Sequence, residues 1–136
     1  MSRIETILLA TDASAASEAA TDQAIDLAAR LGARLVVLSV LPGSSPGVRA
    51  ARQLALEQIV ERSRAAGATA EELLWEGDAG ETIVEAAGAE GADLIVVGTH
   101  GRGPVGRLFL GSVSDYVVRH ARCPAMVVRP RRTTAG

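Results

Sequence analysis

The chain has 136 residues, a formal charge of -2 and a composition that is 48% hydrophobic but only 2% aromatic. That length makes one domain able to bury about two-thirds of its unfolded surface without disulfides or metals, and its core must be built from Ala, Val, Leu and Ile. All fourteen basic side chains are arginine, which excludes a P-loop, a Schiff-base enzyme and a phospho-receiver, each of which needs a lysine; the charge and the scarcity of aromatics argue against nucleic-acid binding.

Ile4 to Ala10 reads as a strand whose run Ile7-Leu8-Leu9-Ala10 is of the kind buried on both faces of a parallel sheet. Thr11 and Asp12 stand at its carboxyl end, where open α/β sheets take their ligands. Asp12 also suits a turn or helix cap, and the two roles can coexist. From about Ser14 to Leu31, Ala20, Ala24, Leu27, Ala28 and Leu31 recur at helical spacing, and Gly32 ends the helix. Ala33 to Val40 is a second buried strand, which makes the first unit a parallel crossover.

The breaker-rich segment from Leu41 to Gly47 is expected to be a loop, followed by a helix from about Val48 to Ala66 and its closing Gly67. Thr69 to Glu76 reads as a strand, and Glu71 and Glu72 mark it as an edge strand. Gly77 to Gly80 is expected as a turn, Glu81 to Ala89 as a short helix, and Asp93 to Val97 as the fourth strand. Beyond the loop that follows, a helix begins near Ser112, His120-Ala121-Arg122-Cys123-Pro124 breaks the pattern, and Ala125 to Val128 forms a fifth strand. Residues 1–130 are expected to be one domain and 131–136 a flexible tail.

Strict alternation of strands and helices implies an α/β, doubly wound parallel sheet. Right-handed crossovers with one topological switch give the order 3-2-1-4-5, which sets the ends of strands one and four side by side. Asp12 and the loop after the fourth strand then face one crevice.

That loop runs from Gly98 to Ser112 and carries Gly101, Arg102, Gly103, Gly106, Arg107 and Gly111. Glycines let backbone N–H groups approach an anion, the helix terminus adds donors and partial positive charge, and an arginine fork matches phosphate oxygens. The pattern G-x2-G-x9-G-S, from Gly98 through Gly101 to Gly111 and Ser112, resembles the nucleotide-binding signature of the universal stress protein family, in its ATP-binding branch. The Ala10-Thr11-Asp12 end of the first strand, the Ser39-Val40 end of the second and the segment His120 to Pro124 extend the resemblance over nearly the whole chain.

The resemblance implies a Rossmann-like sheet of the adenine nucleotide alpha hydrolase-like kind and a stress-response regulator that binds ATP; Mg2+ or Mn2+ is expected to be held mainly by the phosphates, because few carboxylates stand near the loop, and the single cysteine with no long apolar run makes the cytoplasm the expected compartment. The resemblance implies that Thr11 and Asp12 lie near the adenosine, Asp12 at the ribose, and that Val40 meets adenine. It also implies that Gly98 and Gly101 line the phosphate path and that Gly111, Ser112 and Val113 bind phosphate or ribose. Ala10, Val97 and Arg102 complete the expected binding set. A homodimer through the exposed edge at Ala125 to Val128, an unidentified protein partner, and neither nucleic acid nor membrane are expected as partners. The alternatives are a slow ATPase that autophosphorylates on Ser112, Ser114 or Thr99, and a nucleotide-free dimer. His100 is read as a solvent-facing or supporting residue. One cysteine and two histidines are too few for a structural zinc site, so Cys123 is read as a small apolar residue.

Overall fold

The computed structural model describes residues 3–43, 45–99 and 111–130. Within them the chain alternates β1 (Thr6–Ala10), α1 (Glu18–Leu31), β2 (Arg34–Leu41), α2 (Pro46–Ala65), β3 (Thr69–Glu76), α3 (Ala79–Glu90), β4 (Leu94–Gly98), α4 (Ser112–His120) and β5 (Ala125–Val128). The five strands are all parallel and lie in the order β3-β2-β1-β4-β5. This is the expected doubly wound α/β sheet, with β3 at one edge and β5 at the other.

Period-2 alternation along each central strand divides the core between the two faces of the sheet. Ile7 and Leu9 of β1, Leu35 and Val37 of β2, and Leu94 and Val96 of β4 pack with α1 and α2 through Ala20, Ala24, Ala28, Leu56, Ile59 and Val60. Leu8 and Ala10, Val36 and Leu38, and Ile95 and Val97 point to the opposite face, against Ile83, Ala86 and Ala87 of α3 and Val117 of α4. The alanines of α1 and α3 present only a methyl group, so the helices sit close on the sheet, which is how a core almost without aromatics closes.

Helix starts depart from the sequence reading in three places. Pro46 opens α2 instead of lying in the loop, because Ser45 caps the helix by accepting from the Val48 N–H and proline is pre-set for the first helical turn. Asp78 accepts from the Glu81 N–H at 3.1 Å, so α3 begins at Ala79 inside the expected turn. The helix expected from Ser14 begins as a 3-10 turn, Ala15–Ser17, before α1. At the amino ends of the strands, Asp93 accepts from the backbone N–H groups of Glu5 and Thr6 at 2.9 and 3.0 Å, tying the start of β1 to that of β4. Arg34 pairs there with Glu71 and, at 3.3 Å, with Glu90.

Candidate functional site

The crossover from β1 runs through α1 to β2 on one side, whereas β4 pairs with β1 on the other, so the chain reverses its winding between β1 and β4. Ala10 and Val97 are register partners at that point, and Ala10 is also paired with Leu38 of β2. A cleft opens outside these carboxyl ends, the position at which such sheets bind ligands. It has a cavity volume of about 120 Å³ and is open to solvent on one side.

The cleft has two chemistries. Leu38, Val40, Ala79, Ile83, Val97 and Val113 form an apolar wall on the α3 and α4 side of the sheet, and Thr11, Asp12, Ser14, Ser17 and Thr99 supply polar groups. Asp12 is the one charged side chain among the described lining residues. Such a lining offers apolar contact on one side and hydrogen-bonding groups on the other.

The polar side is built by the connection between β1 and α1. The Thr11 N–H donates to the Leu38 carbonyl at 2.9 Å, carrying the ladder one residue past β1. The Ser14 N–H donates to Asp12 Oδ1 at 2.9 Å, so the turn role of Asp12 is present. Between them Ala13 has a φ of 62°, the left-handed region that costs a residue with a Cβ about 1–2 kcal/mol. Its N–H donates to Thr11 Oγ1 at 2.9 Å, which helps to hold it there.

The last helix reaches the cleft by its amino end. Gly111 is the cap residue of α4 and, as a glycine, offers no side chain to cap it. The Gly111 carbonyl accepts from the Ser114 hydroxyl at 3.0 Å and from the Asp115 N–H at 2.9 Å. Val113 lines the cleft, and Ser112 is exposed at the first helical position. Ser114 and Thr99 are buried, at 1% and 8% exposure, so of the three hydroxyls considered for phosphorylation only that of Ser112 is presented to solvent.

Of the residues expected to bind a ligand, Ala10, Thr11, Asp12, Val40, Val97, Gly98 and Val113 line one cleft although they come from four separate stretches of chain. Gly111 and Ser112 lie at the adjoining start of α4 without lining it. Gly101 and Arg102, with His100 and Arg107, lie outside the described residues, as does the segment 131–136. Sequence reasoning missed Leu38, Ala79 and Ile83, which carry only a core-like apolar signal, and Ser14, Ala16 and Ser17, whose pattern reads as a helix start.

Gly98 shows what the fold itself requires. A Cβ built there would lie 3.6 Å from the Ala20 Cβ and 3.8 Å from the Val128 carbonyl oxygen, ordinary packing distances. By contrast, Gly77 has a φ of 146° and a Cβ there would meet Thr82 Oγ1 at 2.6 Å, so glycine is structural at that turn.

Away from the cleft, Cys123 is half-buried against the α3 and α4 side of the core. Burial pushes its thiol above the ordinary value, with the Asp93 carboxylate adding to the effect against a lowering backbone hydrogen bond. Among the described residues no three His, Cys, Asp or Glu side chains gather as a metal site, and no helix is long and apolar enough to cross a membrane.

The profile of the universal stress protein family matches residues 3–129. A relative from Thermus aquaticus, the universal stress protein in QAH/OAS sulfhydrylase 3'region, is 56% identical over 57 residues, which are 42% of this chain and 42% of that protein. The chain thus spans less than half the length of that relative. Among solved structures, a universal stress protein from Archaeoglobus fulgidus superposes with a TM-score of 0.82 at 28% identity, covering 92% of this chain and 98% of the other. A universal stress protein solved in complex with cAMP gives a TM-score of 0.79 at 32% identity, covering 94% of this chain and 98% of that one.

Proposed function

The chain belongs to the universal stress protein family, and from that premise we propose that it is a cytoplasmic stress-response regulator that binds ATP in the cleft between the ends of β1 and β4. The observation that carries the reading is the convergence of Ala10, Thr11, Asp12, Val40, Val97, Gly98 and Val113 on one cleft. The similar protein in complex with cAMP supports an adenine nucleotide as the ligand class.

In this reading adenine lies against Val40 and the apolar wall, and Asp12 accepts from ribose hydroxyls. The phosphates run past Gly98 toward Gly111 and Ser112 at the start of α4, and Gly101 and Arg102 belong to the same binding set. Helix donors and arginines provide the positive field that the described lining lacks. Mg2+ or Mn2+ rides on the phosphates, which bring their own oxygen ligands.

The protein acts as a nucleotide-dependent binding module. Glycine N–H groups and a helix terminus hold ground-state phosphates about as well as a transition state, and such uniform binding does not accelerate chemistry. A homodimer forms through β5, whose outer edge is unpaired within the sheet and whose four residues, Ala125, Met126, Val127 and Val128, are only half-buried. Mass spectrometry of nucleotide released from the purified protein, followed by titration with ATP, AMP, cAMP and GTP, tests the reading. Saturable binding of ATP in preference to GTP supports it, and no adenine nucleotide bound or copurified overturns it.

A further inference from the structure

Gly80 of α3 and Tyr116 of α4 pack against each other beside the cleft. Gly80 is buried in the first turn of α3, and a Cβ built on it would lie 2.9 Å from both Cγ and Cδ1 of Tyr116 and 3.0 Å from its Cβ. The atoms met are those nearest the backbone of α4, so they cannot swing aside as the end of a long side chain would. The Tyr116 ring is backed on its own helix by His120, with ring centroids 4.2 Å apart.

Each partner in this contact stands next to residues of the cleft wall. Gly80 follows Ala79 and lies one turn before Ile83, and both line the cleft. Tyr116 lies one turn after Val113, which lines it from α4, and residues three apart share a helix face. The separation of the two walls is therefore set where the tyrosine ring rests on bare backbone.

We infer that Tyr116, seated on Gly80, is a positioning residue that fixes the gap between Ala79 and Ile83 on one wall and Val113 on the other, and through it the fit of the nucleotide. This rests on the nucleotide-binding reading of the same cleft. The tyrosine touches no ligand in this account; it acts through the placement of α4. An added methyl at position 80 displaces Tyr116 and carries Val113 with it, whereas loss of the ring lets the two walls approach.

The test uses amide spectra of the unliganded protein together with ATP affinity. Gly80→Ala shifts the Val113 amide, 33 residues away in sequence, while that of Leu8 in the sheet centre stays in place, and ATP binding weakens roughly tenfold. Tyr116→Phe keeps wild-type affinity and Tyr116→Ala weakens it. In the Tyr116→Ala background the further change Gly80→Ala has a smaller effect, as coupled residues require. A folded Gly80→Ala protein with wild-type affinity, or with an unmoved Val113 amide, overturns the assignment. If Gly80→Ala does not fold, wild-type affinity in folded Tyr116→Ala overturns it instead. Should the wild type bind no ATP, the functional reading falls on its own, and the Val113 amide of the unliganded variant still decides the spacer.

Discussion

Thr11 Oγ1 and Ser17 Oγ lie 2.9 Å apart, joining the end of β1 to the start of α1 at the rim of the cleft. Ser17 donates its single hydroxyl proton to the Ser14 carbonyl at 2.9 Å, so Thr11 is the donor to Ser17 and the acceptor from the Ala13 N–H. One buried hydroxyl thus pins both the helix start and the left-handed residue between them.

Thr11→Val keeps the shape of this side chain and removes its hydroxyl, leaving the Ala13 N–H without that acceptor. It costs about 1–2 kcal/mol in urea denaturation, the range for a hydrogen-bonded group deprived of its partner. Thr11→Ser retains most of the stability. An unchanged midpoint in Thr11→Val would show that the hydroxyl does not hold the turn.

Cys123 gives a stability that depends on pH. Its folded value is raised, so the neutral thiol is the form the fold favours. The contribution is complete below the ordinary thiol value of about 8.5 and is lost as pH rises through the higher folded value. As pH rises above the ordinary thiol value of about 8.5 the wild type therefore loses stability relative to Cys123→Ala. Denaturation midpoints of the two proteins across that window check the sign, and parallel curves contradict it.

Val127→Arg places a charge on the half-buried edge strand β5 and shifts the protein toward monomer in sedimentation at high micromolar concentration. A wild type that is monomeric under those conditions removes the proposed interface.

Much of the fold was legible because buried parallel strands write continuous apolar runs, as in Leu35 to Leu38, and because Gly32 and Gly91 stop helices in the left-handed conformation. The start of α2 was misplaced because proline signals both a loop and a first helical turn, and only the Ser45 cap at Pro46 separates them. At the cleft, Asp12 and Gly98 stood out as polar or flexible residues at strand ends. Ile83 and Leu38 did not, since an apolar residue lining a cleft has the same local pattern as one filling a core. The contact of Gly80 with Tyr116 joins positions 36 apart, and the left-handed Ala13 contradicts the preference of its own residue type.

Calorimetric titration of ATP into the wild type and Gly111→Val tests the central claim most directly. Gly111 has φ -66° and ψ 162°, an extended conformation that valine adopts without strain, so the backbone does not oppose the variant. In the proposed reading the branched side chain crowds the approach of the phosphates to the amino end of α4. Micromolar binding by the wild type and none by a folded Gly111→Val protein is the predicted result; equal affinity in the two proteins would contradict the placement of the nucleotide.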